Sequence, residues 1–274
     1  MENKELKALL TTATRAALEA GKKVNEVYHE KDFEVESKAD ESPLTLADRK
    51  AHEIITGYLN QTEYPVLSEE GKDIPYEERS KWDHFWLVDP LDGTKEFIKK
   101  NGEFTVNIAL VRQGEPILGV VFAPYVNELY FGTETFGAYK VEGEKGEPMA
   151  CEDIDELMKK GQILPLSEKR DKLVVVASRS HLNDETQAYV DELKKIYGDA
   201  EFVSKGSSLK ICMVAEGKAD VYPRFGPTME WDTAAAHAVA LAAGFPVTQK
   251  DGTPLLYNKK ELLNPYFIVK SKKM

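Results

Sequence analysis

The β-rich middle of the chain is the feature that most restricts how it can fold. Between residues 84 and 140, five short segments rich in β-branched and aromatic residues are separated by Gly, Pro and Asn turn signals. Short spacing of this kind is typical of an antiparallel sheet in which hairpins join consecutive strands. We predict strands over residues 84–88, 104–111, 117–123, 128–131 and 136–140.

Helical patterns precede this sheet, and helices alternate with strands after it. Apolar residues recur at three- and four-residue steps over residues 6–28 and 45–59, which predicts two amphipathic helices, and a short strand follows at 65–68. The last third alternates between strands at 173–177, 201–203, 219–222 and 267–269 and helices at 184–197, 207–215 and 233–243. This order predicts an α+β or α/β protein built in layers. The charged stretch 142–170 is the predicted junction between an N-terminal part, 1–165, and a C-terminal part, 166–274.

The balance of charges narrows the range of partners. The 274 residues include 36 Lys and Arg against 47 Asp and Glu, a formal charge of −11. This acidity argues against a nucleic-acid polymer or an anionic membrane surface as partner, and no apolar run approaches the ~18 residues of a membrane span. Two cysteines and no signal peptide lead us to expect a cytoplasmic protein. The sequence leaves open whether the chain forms a homodimer or associates peripherally with the inner membrane.

The most informative segment is Asp-Pro-Leu-Asp-Gly-Thr at residues 89–94, at the end of the first middle strand. A proline and a glycine shape a turn in which the carboxylates of Asp89 and Asp92 and the Leu91 carbonyl can converge. Mg²⁺ requires oxygen ligands of this kind. The amides of Gly93 and Thr94 lie at a predicted helix start, which suits a phosphate. In isolation, the same segment is equally compatible with a plain turn that caps a strand.

Two further acidic positions are candidates. Glu69 and Glu70 follow the strand at 65–68, where they are either solvated surface residues or carboxylates that face the 89–94 turn. Asp232 precedes an alanine-rich stretch that favours a helix ending near Gly244. We therefore expect Asp232 at the N-cap, a position that an Asp occupies well with or without a metal beside it.

These segments together resemble the inositol monophosphatase superfamily of Mg²⁺-dependent, lithium-sensitive phosphatases. The pattern consists of Glu69-Glu70, residues 89–94 and Trp231-Asp232-Thr233-Ala234-Ala235, and it extends over nearly the whole chain. The resemblance implies a layered αβαβα sandwich with the metal site between its two parts. Within the superfamily, residues 95–98, 101–110, 206–210 and 222–228 resemble the bacterial 3′(2′),5′-bisphosphate nucleotidases of the CysQ type. Met229-Glu230 departs locally from that pattern and adds a carboxylate near the metal site.

The resemblance also implies roles for individual residues. The oxygen ligands for two or three Mg²⁺ would be Glu69, Asp89, Leu91 (through its carbonyl), Asp92 and Asp232. The catalytic residues would be Thr94, which relays a proton, Asp48, which pairs with it, and Glu69. The substrate would contact Lys38, Leu91, Asp92, Gly93, Thr94, Gly206, Ser207, Ser208, Lys210, Arg224 and Asp232. Taken alone, Asp48 is also compatible with a helix-surface acid and Ser207 with a plain N-cap. Lys38, Lys210 and Arg224 are likewise compatible with ordinary surface charges.

We therefore expect a Mg²⁺-dependent phosphomonoesterase that converts 3′-phosphoadenosine 5′-phosphate to AMP and phosphate. By resemblance, this reaction clears a by-product of sulfate assimilation. One alternative is an inositol phosphate or fructose 1,6-bisphosphate phosphatase of the same fold, and another is a non-enzymatic protein that binds metal or nucleotide. The sequence lacks the Gly-x-x-x-x-Gly-Lys, His-Glu-x-x-His and Gly-x-Ser-x-Gly motifs, which disfavours a P-loop, a zinc hydrolase and a serine hydrolase.

Overall fold

The computed structural model of the chain describes residues 1–30, 35–37, 43–144, 146–166, 172–177 and 183–271. The helices are α1 (Asn3–His29), α2 (Leu46–Leu59), α3 (Tyr76–Arg79), α4 (Thr94–Ile98), α5 (Ile154–Lys160), α6 (Asp184–Tyr197), α7 (Leu209–Glu216) and α8 (Glu230–Ala242). The strands are β1 (Val35–Ser37), β2 (Pro43–Thr45), β3 (Val66–Ser68), β4 (His84–Asp92), β5 (Thr105–Arg112), β6 (Glu115–Ala123), β7 (Glu128–Thr133), β8 (Gly137–Glu142), β9 (Gln162–Ile163), β10 (Leu173–Ala177), β11 (Ala200–Ser204), β12 (Val221–Arg224), β13 (Val247–Gln249) and β14 (Phe267–Lys270).

The strands form two large sheets and one small hairpin. The larger sheet has seven strands in the order β3-β4-β5-β6-β7-β8-β9. β3 is parallel to β4, whereas each consecutive pair from β4 to β9 is antiparallel, as predicted for the middle strands. The second sheet has five strands in the order β11-β10-β12-β14-β13. In this sheet β10 is parallel to both β11 and β12, whereas β14 is antiparallel to its two neighbours. The parallel pairs explain the strand–helix alternation seen in the last third of the sequence.

Alternate side chains of the strands face different helices, and this divides the protein into layers. On β4, Trp86 and Val88 lie in the core that α1 and α2 cover, while Phe85 and Leu87 face α7 and α8. On β10, the side chain of Val176 packs in the α7–α8 core and that of Val175 packs toward α6. The order of layers is α1 with α2, the seven-stranded sheet, α7 with α8, the five-stranded sheet, and α6. The predicted αβαβα sandwich is confirmed.

α8 approaches the seven-stranded sheet more closely than most side chains would permit. A Cβ atom on Gly119 of β6 would lie 2.1 Å from the carbonyl oxygen of Ala235 and 2.8 Å from the Cβ of Ala238. Only glycine on the strand and small residues on the helix allow this contact. Because α8 also packs against β4 and β5, its position relative to the end of β4 is fixed by this contact.

The charged stretch 142–170 contains more structure than its composition indicates. It includes α5 and β9, and Ile163 of β9 pairs with Tyr139 of β8. Ile154 and Leu157 of α5 pack in the same core as α1. These elements span only seven and two residues, which is too short for a periodic pattern to reveal them. The division into 1–165 and 166–274 stays a prediction, and α8 from the second part packs against the sheet of the first.

Within the described ranges, every helix is too short or too polar to cross a bilayer.

Candidate active site

A β-bulge aims two acidic side chains in the same direction at the end of β4. Asp89 pairs with Asn107 of β5 and Asp92 pairs with Thr105, so three steps on β4 match two steps on β5. Residues three apart on a regular strand point to opposite faces, and the one extra residue at Pro90-Leu91 cancels that alternation. The amide of Leu91 donates to Oδ1 of Asp89 at 3.0 Å, which closes the turn predicted from the sequence.

Four carboxylates of the predicted ligand set lie within electrostatic reach of one another. Burial raises the pKa of Asp89 well above its usual range, and the charges of Glu69, Asp92 and Asp232 raise it further. Burial and the charge of Asp92 likewise raise the pKa of Asp232. Burial raises the pKa of Asp92 to about 6, although Lys210 opposes this shift. The four acids therefore influence one another electrostatically, and their assignment as metal ligands stays a prediction.

The chemistry of this donor set fits a hard divalent cation. Glu69 and Asp89 are in hydrogen-bond contact, and two carboxyl groups can share such a contact only with a proton or a cation between them. A bound dication would relieve the mutual repulsion of the whole set, because carboxylate oxygens are its preferred ligands. Within the described part of the chain, no group of three or more His, Cys, Asp or Glu side chains is arranged to hold a metal ion as it stands.

Thr94 and Asp48 meet in the structure, although 46 positions separate them in the sequence. The Thr94 hydroxyl lies 3.2 Å from Oδ1 of Asp48 and 3.3 Å from the Leu91 carbonyl oxygen. The other carboxylate oxygen of Asp48 accepts from the Thr45 amide at 2.7 Å and from the Thr45 hydroxyl at 2.5 Å. Asp48 is only 1% exposed, so the alternative of a helix-surface acid is wrong. One carboxylate oxygen of Asp48 is therefore held by Thr45, the N-cap of α2, and the other is directed at the Thr94 hydroxyl.

Asp232 lies on the first turn of α8, but it is not the N-cap as predicted. The helix begins at Glu230 after the N-cap Met229, and Asp232 is the third helical residue. Its Oδ2 accepts from the Met229 amide at 2.9 Å, so it caps the helix from within, as the acidic residue of a capping box does. The neighbouring Glu230, which the sequence places near the metal site, instead binds the amides of Asn258 and Lys259.

The segment before α7 is tied to the end of β4 through Ser208. The Ser208 amide donates to Oδ2 of Asp92 at 2.6 Å, and its hydroxyl contacts Asn107 and Thr105 at 2.9 Å each. The predicted helix start at residue 207 is wrong by two residues, because α7 begins at Leu209 with Ser208 as N-cap. Ser207 itself has φ +46°, a left-handed conformation outside the helix. It is therefore not the N-cap that the simpler interpretation assigned to it.

Two of the predicted cations stand beside the acidic cluster. Lys210 is buried, and its Nζ donates to the carbonyl oxygens of Ser207 at 2.7 Å and Lys205 at 3.3 Å. Burial lowers the pKa of Lys210 to about 8, an effect that the nearby Asp92 opposes. Arg224 donates from Nη2 to the Pro227 carbonyl oxygen at 2.8 Å. The alternative of a surface charge does not hold for Lys210, whereas Lys38 lies outside the described residues.

Part of this set lines a cleft of about 400 Å³, whereas Asp48, Glu69, Asp89, Leu91 and Thr94 are not among its lining residues. Eight predicted residues contribute to it: Asp92, Gly93, Gly206, Ser207, Ser208, Lys210, Arg224 and Asp232. Sequence reasoning missed other residues of its wall, among them Lys99, Asn101, Glu103, Lys205, Tyr222 and Thr228. Several of these lie in segments 101–110 and 222–228, which already carried the family resemblance but gave no sign of which side chains face the cleft.

Comparison with known proteins identifies the family. A sequence model described as the inositol monophosphatase family matches residues 5–272, and the chain belongs to this family. The family predicted from the three acidic segments is thereby confirmed.

The most similar relatives within this family share one enzyme name. The 3′(2′),5′-bisphosphate nucleotidase CysQ of Escherichia coli strain K12 is 48% identical over 266 residues, which cover 95% of this chain and 99% of the relative. The protein of the same name from Shigella flexneri is 47% identical over 267 residues, with the same two shares. A crystal structure of CysQ from Bacteroides thetaiotaomicron, described as a bacterial member of the family, has a TM-score of 0.90 and 53% identity, covering 99% of this chain and 100% of that one. The predicted resemblance to CysQ-type enzymes is confirmed.

Proposed function

We propose that the chain is a Mg²⁺-dependent phosphomonoesterase that converts 3′-phosphoadenosine 5′-phosphate and water to AMP and inorganic phosphate. The observation that carries this proposal is the polarity of the cleft. Asp92 and Asp232 line it together with Lys210 and Arg224. A cleft with a carboxylate cluster beside cations suits a substrate with two phosphates, one met by metal ions and one by protein cations. The CysQ relatives carry the name 3′(2′),5′-bisphosphate nucleotidase, which supports this substrate class.

The carboxylates of Glu69, Asp89, Asp92 and Asp232 and the carbonyl of Leu91 would hold two or three Mg²⁺. When bound, Mg²⁺ offsets the charge of the phosphate ester and makes nearby water more acidic. The cluster itself supports this assignment, because burial and mutual repulsion raise the pKa values of Asp89 and Asp232, and a cation bound among them would relieve that repulsion.

Thr94 and Asp48 would move the proton of the attacking water. The Thr94 hydroxyl donates to Asp48, so its oxygen can accept a proton from water while its own proton passes to the carboxylate. The Thr45 contacts hold Asp48 in place for this transfer and stabilise its charged form. The amides of Gly93 and Thr94, at the start of α4, would orient the phosphate that is cleaved.

The second phosphate and the ribose would contact the loop before α7 and the end of β12. Arg224 can bind a phosphate through its planar guanidinium group. Lys210 would contribute a positive charge while its backbone contacts keep residues 205–207 in shape. Gly206, Ser207 and Ser208 would contribute amides and hydroxyls, and Lys38 remains a candidate for the same phosphate.

A phosphate-release assay over a small substrate panel tests the proposal. The panel is 3′-phosphoadenosine 5′-phosphate, inositol 1-phosphate and fructose 1,6-bisphosphate, each with Mg²⁺ and with excess chelator. We expect the highest kcat/KM on the nucleotide, no turnover in chelator, lower turnover in Ca²⁺ and inhibition by Li⁺, the last by family resemblance. A preference for either of the other substrates would favour that phosphatase activity, and no turnover on any would favour the non-enzymatic alternative. Full activity in chelator would refute the metal assignment.

A further inference from the structure

Glu230 is a fully buried carboxylate on the first turn of α8 that the proposed reaction does not use. Its Oε2 accepts from the Asn258 amide at 2.6 Å, and its Oε1 accepts from the Lys259 amide at 3.0 Å. The Lys259 Nζ lies 2.5 Å from the same Oε1. The side chain is therefore directed at residues 258–260, which we call the clamp segment.

Arg79, the last residue of α3, binds the clamp segment from its other side. Arg79 is 3% exposed, and its guanidinium donates to the carbonyl oxygens of Lys259 at 2.6 Å and Lys260 at 2.8 Å. It also donates to the side-chain oxygen of Asn258 at 3.0 Å, and the Asn258 side chain donates back to the Arg79 carbonyl at 2.7 Å. Asn258 has φ +64°, a conformation that Asn accepts more readily than most residues.

The clamp segment is thus oriented between two opposite buried charges. Its N–H groups face the anion Glu230, and its carbonyl groups face the cation Arg79. Hydrogen bonds to charged groups are shorter and stronger than those between neutral groups, and burial strengthens them further. Because Arg79 belongs to α3 and Glu230 to α8, the clamp segment joins these two helices.

α8 carries one predicted metal ligand, and α3 lies in the segment that links another, Glu69, to β4. α8 carries Asp232, whose carboxylate direction depends on its bond to the Met229 amide in the same first turn. α3 lies in the segment that runs from Glu69 to β4. The position of Glu69 itself is set by its amide, which donates to the Val88 carbonyl of β4 at 3.1 Å. The side chain of Asn264, four residues after the clamp segment, donates to the Met229 carbonyl at 2.8 Å and so adds a second link to this turn.

We propose that Arg79 and Glu230 are positioning residues that act through the clamp segment to fix Asp232 relative to Glu69 for cation binding. This inference rests on the proposed function, because it assumes that Glu69 and Asp232 are metal ligands. Residues that orient the ligands of a metal site without touching the metal typically change metal affinity or activity by about 10- to 100-fold when mutated.

The test is the affinity of the full chain for Mn²⁺, measured without substrate from the electron paramagnetic resonance signal of the free ion. The variants are Glu230→Gln and Arg79→Met, with Glu261→Gln as a control because Glu261 is exposed in the same loop. We expect each of the two clamp variants to weaken Mn²⁺ binding by about tenfold, and the control to leave it unchanged. KM for the substrate at saturating metal should change little.

The two clamp variants separate positioning from simple charge effects. Removing the negative Glu230 would weaken cation binding through space in any case, but removing the positive Arg79 would strengthen it. Only a positioning role predicts weaker binding in both. Asn258→Gly changes no charge and removes both side-chain contacts to Arg79, so it should weaken Mn²⁺ binding in the same direction if the other variants fold poorly.

Three outcomes have distinct meanings. Weaker binding in both variants supports the clamp. Unchanged or tighter binding by Arg79→Met, with only a lower melting temperature, would overturn the positioning role and leave the proposed function intact. Wild-type protein that does not bind Mn²⁺ would overturn the metal assignment itself, and the clamp proposal with it.

Discussion

Replacing Asp48 by asparagine should reverse the direction of the hydrogen bond that we propose as the proton relay. In the native protein, one oxygen of Asp48 accepts from the Thr45 amide at 2.7 Å and the other accepts from the Thr94 hydroxyl at 3.2 Å. A backbone amide can only donate, so the single side-chain oxygen of the introduced asparagine must turn toward Thr45. Its NH₂ group then faces Thr94 and donates to the hydroxyl, whose proton turns away toward the Leu91 carbonyl at 3.3 Å.

The reversed bond leaves Thr94 unable to take a proton from water while passing one on. General-base assistance of this kind contributes about 10²–10⁴ in rate, which corresponds to roughly 3–5 kcal/mol of the activation barrier at 1.36 kcal/mol per factor of ten. We expect kcat to fall within that range in both Asp48→Asn and Thr94→Val. Thr94→Ser keeps the hydroxyl and should retain most of the activity.

The assay compares kcat, Mn²⁺ affinity and thermal stability for the two single variants and their combination. Mn²⁺ affinity and stability should stay close to wild type, because neither residue is a proposed ligand and the asparagine oxygen still caps α2. The double variant should be no slower than the slower single variant, since both changes interrupt one proton path. A double variant whose rate loss equals the product of the two single losses would refute the relay.

Three further predictions concern the metal site, the second phosphate and the fold. Asp89→Asn and Asp232→Asn should each reduce turnover to near background at limiting Mg²⁺, and near wild-type activity in either would remove that residue from the ligand set. Arg224→Met should raise KM for 3′-phosphoadenosine 5′-phosphate about 10- to 100-fold, the strength of a charged hydrogen bond, but should leave KM for adenosine 3′-monophosphate unchanged; equal changes would contradict a role in binding the second phosphate. Burial lowers the pKa of His237 from 6.5 to about 3. Because the unfolded chain takes up this proton below pH 6.5 and the folded chain does not, the contribution of His237 to the free energy of unfolding should fall by about 2 kcal/mol between pH 7.5 and pH 5. Urea denaturation of wild type and His237→Gln checks this, and an equal pH dependence in both would contradict it.

Much of the fold could be predicted because its signals are local. Hairpin turns between apolar segments indicate an antiparallel sheet, and the three- and four-residue steps over 6–28 indicate the helix that became α1. Among the described residues, sequence reasoning missed short elements of seven residues or fewer, namely α3, α5, β1, β2, β9 and β13. They exist because neighbouring elements hold them, as β8 pairs with β9, and no local periodicity records such a partner.

The acidic segments of the site could likewise be found from the sequence, because their residue types and order carry the family resemblance. What each acid does could not be derived in the same way. Asp48 has the sequence context of a surface acid and is buried against Thr94, while Glu230 lies beside Asp232 and binds a loop instead of joining the cluster.

The sequence by itself determined the longer helices and strands and the supply of carboxylates, since each of these depends on residues that are close along the chain. Only the tertiary structure decided which carboxylates meet. The bulge after Asp89 redirects Asp92, and the glycine contact between β6 and α8 sets the place of Asp232. Both depend on distances between residues that are far apart in the sequence, and such distances are set by packing of the whole molecule.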